Sequence, residues 1–477
     1  MEIVIQKFGG SILNNIDDIP KIGAHIIKEL QRGNFPVVVV SAFFGETNKL
    51  INQFKNINLI SKKHSKSILE LVNSNKSTCV DSKLYNELPQ NNYNIARDEL
   101  SNNKIENMNN ISANLSSEMD MALSTAEGLT SSLLAYYLNK IGFKARSLMG
   151  WQVPIYTNNQ YQNSKIIKIN DFELKDLIKQ QIIPVIAGFQ GVTNNLSSSQ
   201  KNLNDSIGSH SRITTLGRGG SDITAISISR ALKAKRVDIY KDVVGIMSGD
   251  PTLIQDVKPI MELDSYMMYL LSRAGVKALN CRAAALAFRY NIPVRIVSFK
   301  NDNQYTYISP SFEARDYFKK TQVINKFNTQ INPINMHNIE IEEVINIALQ
   351  TNLVKINFGT KNTFLEIIKL TKIIENKAKV LPIKITESFL IYCDPDQLNE
   401  IINIDCKLEA EHVSLVTLTG FNLLSIENIL DILYRQVAEL DLKIILADLT
   451  EIKIEIVLKG RQYEKLAENL HKIFIKQ

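Results

Sequence analysis

Cysteine is scarce in this chain. Its four copies, Cys79, Cys281, Cys393 and Cys406, lie far apart and form no C-x-x-C pair. Neither a structural zinc nor a disulfide framework is therefore indicated, and reduced thiols in a cytoplasm are expected. The six histidines are scattered and make no H-x-x-x-H helix face, which removes that metal signature too. No stretch approaches the roughly 20 apolar residues of a membrane span, and the amino terminus opens directly into a strand pattern instead of a basic-then-apolar leader. Charge of one sign is not concentrated either. The 55 basic and 49 acidic residues are mixed along the chain for a net charge of +6, without the basic patch that nucleic-acid binding needs. Apolar residues are plentiful, at 44% of 477, which is enough for two or three domains with buried cores.

The stretch that organises the rest is 214–222, TTLGRGGSD, with 239–251, IYKDVVGIMSGDP, close behind it. Two glycines beside an arginine, then Ser221 and Asp222 at the head of an apolar-periodic run, describe a loop feeding a helix N-terminus. Free amides and the positive dipole end favour an anion there.

Taken in order, residues 3–6 form a short apolar run that leads into KFGGS at 7–11, and apolar residues then recur at helical spacing from Ile19 to Leu30. This is strand, glycine turn, helix. Paired glycines let backbone approach a phosphate, and a lysine at a strand end can lay its ammonium on phosphoryl oxygens. Taken alone, the motif is weak evidence and reads as a mere tight turn. PVVVVS at 36–41 is a β-branched run typical of a parallel strand buried on both faces. It ends in SAFFGET, where Thr47 is either a ligand hydroxyl at a strand's carboxyl end or an N-cap for the helix at Leu50. Residues 71–115 are polar and Asn-rich and read as an insertion. Helical pattern returns at 119–138, where Glu127 of STAEG is either a first-turn acid complementing the dipole or a carboxylate reaching for a substrate ammonium. The single tryptophan, Trp151, is expected to pack in the core. Strands are expected at 145–148, 181–187, 236–240 and 293–298 and helices at 223–232 and 283–290, with a Ser/Asn-rich loop over 193–211. Alternating strands and helices indicate an α/β domain with a mostly parallel sheet.

The pattern changes after residue 299. A polar stretch over 300–340 is followed by two units of similar length. The first runs through 353–358, 363–374 and 387–392. The second runs through 413–419, 426–440, 443–447 and 452–458, with a closing helix at 463–474. A tandem repeat of this kind argues a duplicated α+β module that binds ligands or pairs subunits.

The set KFGGS at 7–11, SAFFGET at 41–47, STAEG at 124–128, GWQ at 150–152, TTLGRGGSD at 214–222, YKDVVGIMSGDP at 240–251 and AGVKAL at 274–279 resembles the aspartate kinases, in that family's order. The C-terminal repeats resemble ACT domains. The resemblance implies an amino-acid-kinase-like three-layer sandwich at 1–300, with an insertion at about 71–117. It also implies a linker at 301–340 and ACT-like units at 341–405 and 406–477. The implied reaction is transfer of the γ-phosphoryl group of ATP to the β-carboxylate of L-aspartate, with Mg2+ accompanying the nucleotide. Lys7 would neutralise charge on the transferring group, and Asp222 would organise Lys7 and the metal-bound phosphates. Ser41, Thr47, Glu127, Arg218, Gly219, Gly220 and Ser221 would hold aspartate. Lys7, Phe8, Gly9, Gly10, Lys241, Asp242, Met247, Thr252, Lys277 and Ala278 would hold ATP. An amino acid needs one carboxylate for its ammonium and one guanidinium for a carboxylate, and Glu127 and Arg218 match that need. A homodimer or higher homo-oligomer through the ACT-like units is implied, as is an active, monofunctional enzyme.

The chain departs from the family at several positions. Lys241 stands where many members have Thr, Met247 where an aromatic is common, Thr252 where an arginine is usual, and Asn280-Cys281 in place of His-Pro. In the first ACT-like unit, residues 359–362 replace a longer loop whose amides would grip an effector's carboxylate. This predicts weak or absent inhibition by lysine or threonine, unless Gly420-Phe421-Asn422 or a dimer partner completes the pocket. Two other readings stand beside this one: a kinase of the same fold acting on a different acceptor, and a catalytically silent amino-acid sensor.

Overall fold

The computed structural model describes residues 1–57, 60, 114–193, 211–310, 343–357, 379–385, 388–392, 409–421, 423–450, 452–459 and 463–475. The greater part of the expected insertion, residues 194–210 of the loop read over 193–211, residues 311–340 of the linker expected over 301–340, the loop at 359–362, the helix at 363–374 and Asn422 lie outside the described residues, while the start of the expected linker holds a strand, Tyr305–Ser309. The chain forms two compact units, Met1–Asp242 with Ile292–Asp302, and Val243–Asn291 with Asn303–Gln477. The division falls inside the sequence range read as kinase.

The first unit is built on β1 (Glu2–Phe8), β2 (Asn34–Val40), β3 (Ala145–Leu148), β4 (Ile155–Thr157), β5 (Ile166–Ile169), β6 (Ile183–Ala187), β7 (Gln190–Thr193), β8 (Ile213–Thr215), β9 (Arg236–Lys241) and β10 (Val294–Ser298). Six of these pair in the order β10-β9-β1-β2-β6-β3, every pairing parallel. Val37, Val38, Val39 and Val40 are wholly buried, as an unbroken β-branched run covered on both faces requires. The strands pack with α1 (Asp18–Gln31), α2 (Thr125–Lys140), α3 (Phe172–Lys179) and α4 (Gly220–Leu232). Helices α1 and α2 contact each other and β2, and α4 rests on β1 and β9. The remaining strands form a second sheet, β5-β4-β7-β8, in which β4–β5 and β7–β8 are antiparallel.

Register places Phe8, Val40 and Tyr240 side by side, and Val40 beside Ala187. The turns after β1, β2, β6 and β9 therefore leave one edge, the carboxyl end, where open α/β sheets bind ligands. Buried charge elsewhere in the unit is structural. Asp238, at 0% exposure, accepts from Arg236 Nε (3.0 Å) and Arg295 Nε (2.6 Å). This pairing, opposed by burial, holds the Arg295 guanidinium above its usual range.

In the second unit α5 (Ser265–Arg273) is capped by Asp264, whose Oδ1 accepts from Met267 N–H at 2.7 Å. Helix α6 (Cys281–Tyr290) is capped by Asn280, whose Oδ1 accepts from Arg282 N–H at 2.9 Å. Asn280, one of the departures, thus has a local structural role. The C-terminal strands are β11 (Glu343–Asn357), β12 (Lys379–Ile385), β13 (Ser388–Tyr392), β14 (Glu409–Phe421), β15 (Lys443–Leu449) and β16 (Lys453–Lys459). They form one sheet, β12-β13-β11-β14-β16-β15, antiparallel throughout, with α7 (Ile429–Glu439) and α8 (Tyr463–Phe474).

Strand β11 begins ten residues before the expected 353. Its first half pairs with the second half of β14 (Ile347 with Leu418), and its second half pairs with both β13 and the first half of β14 (Ile356 with Phe389 and Ala410). The two repeats exchange strands, so each half of this sheet draws on both of the sequence ranges 341–405 and 406–477. Sequence periodicity cannot show this, because alternation identifies a strand and not its neighbour. Among the described residues no helix is long and apolar enough to cross a membrane.

Candidate active site

Lys7 is the penultimate residue of β1, and Asp222 lies in the first turn of α4. Lys7 Nζ stands 2.6 Å from Asp222 Oδ1, both side chains being about 5% exposed. Lys241, at the end of β9, brings its Nζ to 4.0 Å from Asp222 Oδ2. Burial pushes the Lys7 ammonium below its ordinary pKa and Lys241 adds to that, while Asp222 opposes both. The result is a desolvated cation held in one place by one carboxylate. A Cβ added to Gly9 would sit 2.9 Å from Lys7 Nζ, so the first glycine of KFGGS leaves room for the lysine head.

The loop leading into α4 is built by conformation. Gly217 and Gly219 have φ of 76° and 72°, the left-handed region that favours glycine, and Gly219 is the N-cap with no side-chain cap bond. Arg218 between them is exposed, whereas Gly220 and Ser221 are buried. The turn after β6 approaches closely here: a Cβ on Gly188 would lie 2.8 Å from Ser221 Cβ.

Glu127 is in the first turn of α2 and only 3% exposed. Its carboxyl accepts from the Ala42 amide of the loop after β2, yet burial raises its pKa to about 8. Its Oε2 has no hydrogen-bond partner among the described residues. A carboxylate serving only the helix dipole would keep its water. One enclosed beneath a loop with an unfilled oxygen is poised for a cation. Ser41 and Thr47 are half-buried. Ser41 N–H donates to Phe8 O at 3.0 Å, tying the two turns together. Thr47 lies within the helix 46–57 and not ahead of it, so the N-cap alternative is corrected: the helix begins behind Gly45, whose φ of 83° turns the chain.

Phe8 stacks on Tyr240 with ring centroids 4.6 Å apart, and Gly10 and Asp242 lie in the turns after β1 and β9. Met247, Thr252, Lys277 and Ala278 belong to the second unit. Met247 ends the short strand Ile246–Met247, and Lys277 is exposed. Thr252 donates from both N (2.9 Å) and Oγ1 (2.6 Å) to Asp250 Oδ1, an Asx turn that occupies its hydroxyl.

The family model of the amino acid kinase family matches residues 2–298. The chain belongs to that family. Among full-length relatives of this amino acid kinase, the aspartokinase of Rickettsia felis is 30% identical over 475 residues, covering 99% of both chains. Among solved structures, E. coli aspartokinase III in complex with aspartate and ADP (R-state) matches with a TM-score of 0.66 at 20% identity, over 100% of both chains. The same enzyme in complex with lysine and aspartate (T-state) gives 0.62, also at 20% and full coverage. These structural likenesses establish the fold.

Sequence reasoning missed two groups in this kinase that position the site. Gln190, wholly buried, donates from Nε2 to Ser124 O (2.7 Å) and accepts from Gly150 N–H at Oε1 (3.2 Å), fixing the start of the helix that carries Glu127. Asp120 accepts from Thr215 N (2.7 Å), Thr215 Oγ1 (2.8 Å) and Gln162 N (3.0 Å), tying the segment before α2 to the strand that feeds TTLGRGGSD. Their partners are up to 95 residues away, and no local pattern points to them. Trp151 is 40% exposed and not in the core as expected. The GWQ segment is held by its backbone, through Gly150, while the indole faces outward.

Proposed function

We propose that this chain is an ATP-dependent aspartate kinase, forming 4-phospho-L-aspartate as the first step toward lysine, threonine and methionine. Its full-length similarity to aspartokinases supports the reaction. The buried Glu127, with one oxygen unfilled at the edge that holds Lys7 and Asp222, is the observation that carries the substrate class. Glu127 receives the substrate ammonium, Arg218 receives a carboxylate, and Ser41, Thr47, Gly219, Gly220 and Ser221 complete the aspartate contacts.

The β-carboxylate is already nucleophilic, so no general base is required. One of its oxygens forms a bond to the γ-phosphorus of ATP as the bond from that phosphorus to the β–γ bridging oxygen breaks, and the electron pair leaves with ADP. Lys7, fixed by Asp222, neutralises charge on the transferring oxygens, which is the protein's main means of accelerating phosphoryl transfer. Phe8, Gly9, Gly10, Lys241, Asp242, Met247, Thr252, Lys277 and Ala278 remain the proposed nucleotide contacts. Among the described residues no three His, Cys, Asp or Glu side chains cluster as a metal site. Mg2+ would accompany the phosphates of ATP, where it would screen their charge.

The shortened loop at 359–362 supports weak or absent inhibition by lysine or threonine, with the C-terminal sheet serving to form a homodimer or higher homo-oligomer. The test is hydroxamate formation from L-aspartate, MgATP and hydroxylamine, with and without lysine and threonine. Aspartate-dependent product unaffected by either amino acid is expected. Intact nucleotide binding without that product would point to another acceptor.

A further inference from the structure

The loop around Ser248 falls in sequence that reads as kinase, yet within the second compact unit it is fastened to the C-terminal sheet. Ile347 N–H donates to Ser248 O at 3.0 Å, Asn346 Nδ2 donates to Met247 O at 3.0 Å, and Gly249 forms a parallel bridge with Ile347. From α8, His471 Nε2 stands 2.8 Å from Ser248 Oγ, which also accepts from Lys258 N–H at 2.9 Å. Ser248 and His471 are each 3% exposed. Ile254 shares one core with Val344, Ile347, Leu466 and Leu470. A Cβ on Gly249 would fall 2.9 Å from Ile254 Cδ1 and 3.3 Å from Val257 Cγ1, so backbone and core meet without slack.

Apolar packing alone would have attached this loop. A buried Ser–His pair adds desolvation cost and returns directionality, because each partner is satisfied in one geometry only. Burial and the neighbouring Lys258 lower the His471 pKa, against Asp256, so the ring meets Ser248 uncharged at neutral pH.

We infer that His471 and Asn346 are positioning residues for the nucleotide, holding residues 247–249 in the conformation in which Met247 receives the base of ATP. The C-terminal sheet thereby sets nucleotide affinity with no effector bound. This rests on the assignment of Met247 as a nucleotide contact.

The experiment uses the full-length chain. The Kd of MgADP is measured by calorimetry, and hydroxamate kinetics are run with ATP and with aspartate varied, for Ser248→Ala, His471→Ala, the double variant and His471→Gln. Each single alanine variant is expected to weaken MgADP binding and raise KM for ATP about tenfold, with KM for aspartate within about twofold. The double variant should be no weaker than Ser248→Ala, which already lacks the contact to His471 as well as the bond from Lys258 N–H. His471→Gln keeps a nitrogen donor and an oxygen acceptor on a side chain of similar reach and should recover most of the affinity. MgADP affinity unchanged in the alanine variants, KM for ATP and aspartate rising together, or a glutamine variant as impaired as the alanine one would each overturn the inference. Wild-type protein that binds MgADP but gives no aspartyl hydroxamate would sink the aspartate reading, while the Kd series still decides this one. Wild-type protein that fails to bind MgADP would sink both.

Discussion

Lys7 and Glu127 are both buried ionisable groups at one edge of the same sheet, and they are treated oppositely. Lys7 has its counter-charge built in, 2.6 Å away on Asp222. Glu127 has amide contact but, among the described residues, no cation, one open oxygen, and a pKa raised to about 8. A group that must act on every turnover at a defined position is worth fixing with a permanent partner. Under the proposed function Glu127 recognises an incoming cation, and such a group has to be left incomplete until substrate arrives.

Removing the fixed charge should have the largest effect. Lys7→Met is expected to lower kcat about a thousandfold in the hydroxamate assay, and a variant within tenfold of wild type would erase the distinction between the two sites. Glu127→Gln should lower kcat/KM for aspartate about a hundredfold with nucleotide binding intact.

The wild-type pH profile sharpens this further. In the free protein Glu127 is protonated below about pH 8, and only its ionised form attracts an ammonium. Hence kcat/KM for aspartate should climb with pH up to about 8, and Glu127→Gln should flatten the climb. A smaller loss, about tenfold in kcat, is expected for Gly9→Ala, whose methyl would crowd the Lys7 ammonium.

The smallest effect is on stability. A carboxyl with a raised folded pKa binds more protons folded than unfolded between its usual range and about pH 8. Its contribution therefore falls as pH rises through that window. Glu127→Gln should accordingly raise the melting temperature by roughly 5 °C at pH 8 and leave it unchanged near pH 4. Calorimetric scans at the two values would check it, and a fall at pH 8 would mean the carboxylate is paired in solution.

Much of the nucleotide-side architecture could be read in the sequence. The valines of β2 announced a parallel strand, the glycines flanking Arg218 announced a loop into a helix, and Lys7 stood where a strand meets a turn. Each is a local signal, carried by β-branching, backbone freedom or the spacing of apolar residues over one element. The alternatives left open at Thr47 and Glu127 were not local. Thr47 could be placed only once the helix start behind Gly45 was seen, and Glu127 only once the loop after β2 was seen to cover it.

The sequence by itself determined the alternating α/β pattern, the motif set and the chemistry those residue types can perform. Tertiary structure alone decided that β11 and β14 are shared between the two repeats, that Gln190 and Asp120 anchor the segments around Glu127 and Thr215, and that Ser248 meets His471 across 223 residues. Period and propensity constrain a residue against its near neighbours in the chain. Strand partners, desolvation and the hydrogen bonds of buried polar groups depend on residues that sequence distance cannot identify.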